Sequence, residues 1–300
     1  MTMSGKALIT SRDPKGIHAV GLFEAAYNKA GLDEDAAQRL NEHGGELQDG
    51  VTKLIQELSR PNQFASEEVR SGYAYPPEYT GPRPIEEQIA AIAEIFGLDP
   101  TQALEFAKNL PELPEGADGW FAIPSVDALV AKHFPEVTDP AEKYCRAVQP
   151  VHQKIAASRR FYNYRERQIT PAQLRVAVRT AHAFDLIAEV QKGDILIVAA
   201  QLGMRHRGRS VRRARGVFTA NEFGLGSLAV GSIVLTHPER LVRWEQLHID
   251  CAGDEFSHGA DGRFERAPCF SFDDVGVKFG AYWVSNAREY CGSASGFLPQ

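Results

Sequence analysis

Six arginines stand between positions 205 and 215, namely Arg205, Arg207, Arg209, Arg212, Arg213 and Arg215. Guanidinium groups gathered this densely repel one another unless something negative lies beside them. That counter-charge is either an anionic partner or an acidic patch of the same chain. Gly203 and Gly208 flank the first members, which suits a loop bringing backbone amides and guanidinium forks toward phosphate. Ser210 is placed to cap a helix that opens at Val211 and adds its own partial positive charge. The stretch is no named motif: it contains neither G-x-x-x-x-G-K-[ST] nor G-x-G-x-x-G.

A second basic element, Arg159-Arg160-Phe161-Tyr162-Asn163-Tyr164-Arg165, interleaves rings with cations. Nucleic acid is held by this combination, the bases stacking on aromatic faces while arginines neutralise phosphate. Arg159, Arg160, Tyr162, Tyr164 and Arg165 therefore join the six arginines as candidate anion or nucleic-acid contacts. From Ser158 to Arg215 there are thirteen Lys and Arg against four Asp and Glu, a local +9 inside a chain of net charge -6, so the remainder carries -15. The leading expectation is a protein that binds nucleic acid or a comparable polyanion. A structural or assembly protein is a competing one, with the basic band paired internally or against a neighbouring subunit or protein partner.

The third reading is an enzyme. In His248-Ile249-Asp250-Cys251-Ala252-Gly253-Asp254-Glu255, the oxygen ligands Asp250, Asp254 and Glu255 suit Mg2+ or Mn2+, and His248 or His237 is positioned to handle protons. A cation beside an arginine cluster is how a metal-dependent phosphodiester hydrolase or phosphoryl-transfer enzyme neutralises charge. A turn at Gly253-Asp254 with ordinary ion pairing is the simpler alternative. If residues 247–251 form a strand, Cys251 faces the core and is a poor nucleophile. No nucleophile elbow or Ser-x-x-Lys pattern is present.

The elements that must position these residues change character along the chain. Residues 16–110 are patterned as helices: Leu47, Val51, Leu54, Ile55 and Leu58 share one face, as do Ile85, Ile89, Ile92 and Phe96. A helix from about 17 to 30 stops at Gly31, and a second runs from Asp33 to the Gly44-Gly45 pair. A Pro- and Tyr-rich connector over 59–84 interrupts them. Asp99-Pro100, Asp139-Pro140 and Thr170-Pro171 each set a capping side chain before a proline, predicting helices over 100–110, 140–160 and 170–190. After Lys192-Gly193-Asp194 the pattern turns to strands at 195–198, 227–235 and 247–251, with 269–272 and 275–279 as a hairpin about Asp273-Asp274. Residues 226–234 are equally compatible with a buried helix. The expected architecture is α+β, a helical region over 1–190 followed by an α+β region over 191–300 that carries the arginine stretch.

No run of eighteen apolar residues exists, and Met1 to Ile9 lack the apolar segment of a signal peptide, which points to a cytoplasmic protein without a membrane span. The four cysteines, none spaced as C-x-x-C, are too few for a disulfide scaffold and argue against a closed zinc site. No cofactor is required by the binding reading, and Mg2+ or Mn2+ enters only with the enzyme.

Overall fold

The computed structural model describes residues 10–58, 64–259, 261–273 and 275–299. By its contacts the chain divides into two compact units, Met1–Pro61 and Asn62–Gln300, and position 190 falls within the second.

The first unit holds α1 (Pro14–Ala30), α2 (Glu34–Glu42) and α3 (Gly44–Leu58). α1 ends on Gly31 in the left-handed conformation, φ 63°, and Asp33 caps α2 by accepting from Ala36 N–H at 2.7 Å. α2 ends at Glu42, with His43 between it and the Gly44-Gly45 pair, and the pair itself opens α3. Of the face expected to need a partner, Leu47, Leu54 and Ile55 are exposed.

Of the connector over 59–84, residues 59–63 lie outside the described residues; from Phe64 to Pro84 the chain forms no helix or multi-residue strand. The rest of the second unit runs α4 (Ile85–Phe96), α5 (Thr101–Ala107), β1 (Gly119–Pro124), α6 (Val126–His133), α7 (Pro140–Ser158), β2 (Phe161–Asn163), β3 (Leu174–Val176), α8 (Val178–Gln191) and β4 (Ile195–Gln201). It continues with α9 (Val211–Val217), β5 (Glu222–Gly224), α10 (Ser227–Thr236), β6 (His248–Asp250), β7 (Asp254–Phe256), β8 (Arg266–Asp273), β9 (Gly276–Trp283), β10 (Cys291–Ser293) and β11 (Ser295–Phe297). Helices and mixed sheets make this an α+β fold. Asp139 caps α7 through Glu142 N–H at 2.8 Å with Pro140 in the first turn, and Ser210 caps α9 through Arg213 N–H at 3.1 Å.

Two readings are corrected. Residues 227–235, read first as a strand, form α10; its side chains are apolar on every side because nearly all of it is buried, so it shows no helical period. The helix expected from Thr170-Pro171 begins only at Val178, because Leu174–Val176 pairs antiparallel with β7.

A four-stranded sheet has the order β1-β4-β11-β5. The seven-stranded sheet runs β10-β6-β8-β7-β3, with β9 on β8 and β2 on β9. α10 packs on α7 and touches β1 of the first sheet and β8 of the second, which places it in the core. One face of the larger sheet joins that core through Ile249, Phe270, Val277 and Phe279. The opposite face carries Tyr162, His248 and Asp250 among the residues in question.

Candidate functional site

Strand alternation decides which side chains meet on that opposite face. β2 lies parallel to β9 with Tyr162 opposite Lys278, and its ladder extends outward at both ends: Val277 N–H donates to Arg160 O at 3.0 Å and Tyr164 N–H to Phe279 O at 3.0 Å. Arg160, Tyr162 and Tyr164 thus share one face with Lys278, Gly280 and Tyr282. Tyr162 is 39%, Tyr164 60% and Tyr282 44% exposed, large aromatic rings left open where a core would have covered them. Gly280 adds no side chain between them: a Cβ built there would meet only the Tyr282 ring, at 3.8 Å. The Lys278 ammonium stands 5.6 Å from the Tyr164 ring and pairs with Asp273, and Arg288 lies 4.0 Å over Tyr282. The result is a shallow aromatic platform edged by cations.

The other members of the aromatic-basic element point elsewhere. Arg159 donates to Pro238 O and Leu241 O at 2.8 and 2.9 Å and to Val234 O at 3.2 Å, neutralising the carbonyl end of α10; burial brings its pKa down to about 10. Arg165 turns with the core-facing residues, donating to Gln168 Oε1 at 2.9 Å and lying 5.4 Å from the Phe256 ring.

The arginine stretch is neutralised within the protein. α9 sets Val211, Ala214 and Phe218 against Ala252 and Ala267. Ala267 pairs with Tyr282, so α9 lies on the platform's side of the sheet. Arg212 grips Glu67 through both Nε and Nη2, Arg213 pairs with Glu68, and Arg209 approaches Glu68 at 3.5 Å. The Arg212 hydrogen bonds hold the Glu67 carboxyl below its usual range. Arg205 sits 3.5 Å from the fully buried Glu222, which also takes His206 Nε2 at 2.7 Å and the Ser295 hydroxyl at 2.6 Å. These donors outweigh desolvation and bring the Glu222 pKa to about 2. Arg215 donates to Ala252 O and Asp254 O at 2.9 and 2.6 Å. Arg207, exposed, reaches Tyr73 O at 3.3 Å, and no carboxylate pairs with it among the described residues.

The three carboxylates expected to hold Mg2+ or Mn2+ are not brought together. Asp250 accepts from Arg288 Nη2 at 2.6 Å. Asp254 accepts from Tyr144 Oη at 2.6 Å and from Ser227 N–H at 2.7 Å, so it caps α10, and burial raises its pKa to about 6. Glu255 pairs with Arg175 at 2.7 Å. Their partners lie on different elements because successive residues of β7 face opposite ways. Among the described residues the donor cluster compact enough for an ion is a different one: Asp250, Cys269 and Cys291, with ligand atoms within 4.8 Å of one another.

The histidines are enclosed rather than poised. His237 Nε2 accepts from Arg83 N–H at 3.0 Å, its Nδ1 lies 2.9 Å from Thr236 Oγ1, and burial lowers its pKa to about 4. His248, 1% exposed, is packed among the rings of Trp244 and Tyr290, and burial with Arg240 and Arg288 nearby lowers it to about 4.

A cavity of about 500 Å³ opens beside α7 and α8, walled by Val126, Tyr144, Val176, Phe184 and Leu228; none of the expected site residues lines it.

Sequence reasoning singled out Tyr162, Tyr164 and Arg160 from their interleaving, but not Lys278, Gly280 and Tyr282. Their signal was the alternation of β9 against Val277, Phe279 and Ala281, visible once the strand is extended to Trp283. No family model matches the chain, and neither does any curated protein or solved structure.

Proposed function

We propose that the protein binds single-stranded nucleic acid across the platform of Arg160, Tyr162, Tyr164, Lys278 and Tyr282. The observation that carries this reading is three exposed tyrosines sharing one sheet face around a glycine. Tyr162 on β2 and Tyr164 just past its end are two residues apart, a separation of about 6.7 Å for extended backbone that lets neighbouring bases stack on successive rings. Tyrosine faces accept every base, so recognition is tolerant of sequence. Arg160 and Lys278 supply phosphate contacts at the edge.

The arginine stretch supports this site rather than forming it, because its guanidinium groups already hold carboxylates and carbonyls. The assembly reading keeps one observation in its favour: that same pairing consumes most of the basic band inside the chain.

The test is fluorescence anisotropy with labelled single-stranded oligonucleotides of DNA and RNA, with matched duplexes as comparison. Each stacking tyrosine is worth about 1–3 kcal/mol, so Tyr162→Ala and Tyr164→Ala each weaken single-strand binding by about 5- to 150-fold. Duplex binding stays weaker than single-strand binding. Absence of single-strand binding, or binding that both folded variants retain in full, refutes the proposal.

A further inference from the structure

Beside the platform, the same sheet face carries a buried cluster of donor side chains. Cys269 on β8, Asp250 on β6 and Cys291 on β10 come from three strands that lie side by side, with β6 in the middle. Asp250 is registered opposite Cys269 on one side and Ser293 on the other, and His248, one pleat along, is opposite Cys291. All of these point to the face away from the core phenylalanines. Cys269, Asp250 and Cys291 are 1%, 2% and 1% exposed.

Two further groups on this face, Ser293 Oγ and His248 Nε2, are buried and have no hydrogen-bond partner among the described residues. Orphaned polar atoms at such depth are costly. They mark a place where a donor or acceptor is missing.

A disulfide does not explain the two sulfurs. Cys269 and Cys291 are separated by a whole intervening strand, so their Cα atoms stand about 9–10 Å apart from strand spacing alone, beyond the roughly 7 Å that a disulfide spans.

From this geometry we infer that the cluster is a zinc site, with Cys269 Sγ, Cys291 Sγ and a carboxylate oxygen of Asp250 as ligands and the fourth position turned toward Ser293 and His248. Two thiolates select a borderline-soft ion over Mg2+ or Mn2+. Charge balances: two thiolates and a carboxylate meet Zn2+ and the Arg288 guanidinium. Arg288 donates to Asp250 Oδ1 at 2.6 Å, leaving the other oxygen for the ion, as outer groups commonly orient a carboxylate ligand. The same guanidinium lies 4.0 Å over Tyr282, so the ion steadies one ring of the platform. The cysteine spacing gives no hint of this, since the ligands are neighbours only through the β10-β6-β8 order.

The experiment is metal analysis of the purified full-length protein, followed by chelation and titration with Zn2+ and with Co2+. About one zinc per chain is expected, together with a thiolate-to-cobalt charge-transfer absorption in the Co2+ form. Cys269→Ser and Cys291→Ser each abolish that absorption, whereas Cys145→Ser, at a buried cysteine elsewhere, leaves it intact. Arg288→Gln weakens zinc by about 10- to 100-fold. Should the serine variants fail to fold, the wild-type Co2+ spectrum decides alone. No zinc after titration, a Co2+ spectrum without thiolate absorption, or zinc retained by the folded double variant overturns the inference. None of these readouts involves nucleic acid, so the site stands or falls apart from the platform.

Discussion

Salt dependence separates the platform from the arginine stretch as the surface that meets phosphate. Each cation that replaces a counterion on a single strand contributes about -0.7 to the slope of log K against log salt. The platform offers Arg160 and Lys278 on its face, giving a slope near -1.4 when Lys278 exchanges Asp273 for phosphate. Binding through the six arginines of residues 205–215 would give about -4. Between 50 and 200 mM salt the first predicts a fall in affinity of about sevenfold and the second of about 300-fold. The measurement is anisotropy of a labelled oligonucleotide at four or more salt concentrations for the wild type, for Arg160→Ala and for the triple variant Arg209→Ala/Arg212→Ala/Arg213→Ala. Arg160→Ala should flatten the slope by about 0.7, while the triple variant should keep the wild-type slope and unfold at lower urea, because it strips Glu67 and Glu68 of their guanidinium partners. A wild-type slope steeper than about -3, flattened in the triple variant, would refute the platform and return the binding site to the arginine stretch.

Acid should destabilise the fold from about pH 6.5 downward. Burial lowers the pKa of His152 to about 3 and of His237 and His248 to about 4, so the unfolded chain takes up protons first as the pH falls and their stabilisation is complete only above pH 6.5. At pH 5 each has lost about 2 kcal/mol relative to pH 8. Asp254, raised to about 6, acts in the opposite direction and returns about 1 kcal/mol, so a net loss of about 5 kcal/mol is expected in urea unfolding at the two pH values. His152→Leu should remove close to a third of the histidine contribution, and an unchanged pH dependence in that variant would contradict the assignment. Gly226→Ala should cost about 2–4 kcal/mol although its backbone, φ -90°, suits any residue. Its new Cβ would press on Asp254 Oδ1 and Tyr144 Oη and part the pair that caps α10; a variant as stable as wild type in urea would show that cap to be dispensable.

Local signals were readable where local physics decides. Asp139 and Ser210 cap the helices they were expected to cap, since a side-chain oxygen accepting from the first turn needs only neighbours in sequence. Thr170-Pro171 carries the same signal, yet the residues after it pair with β7, because a buried strand edge outweighs one cap. α10 gave no period to read because it is enclosed on all sides. Of the platform, Arg160, Tyr162 and Tyr164 were legible as an interleaved run, while Tyr282 arrives from the β8–β9 hairpin and belongs to the site only through the register of β2 on β9. The cluster of Asp250, Cys269 and Cys291 was hidden for the same reason. Dense positive charge was easy to see, but its counter-charge was not, since Glu67 and Glu68 lie some 140 residues earlier in the sequence.

The pairing of the arginines with that early segment gives the basic band a structural task. Ser210 N–H donates to Glu67 O at 3.0 Å and Val69 N–H to Gly208 O at 2.8 Å, and Glu68 bridges Arg209 through the backbone. Farther along, Leu247 N–H donates to Ala74 O at 2.8 Å. A chain segment with neither helix nor multi-residue strand is thereby strapped over the arginine loop by backbone bonds and fixed there by three guanidinium-carboxylate pairs. Arg212 also lies 4.3 Å over the Phe64 ring, so the strap is held by dispersion and charge together. A segment so poor in internal hydrogen bonds needs such anchors, since ordering each residue costs about 1–2 kcal/mol of backbone entropy. The repulsion among Arg209, Arg212 and Arg213 is relieved by the strap, and the strap is ordered by these arginines.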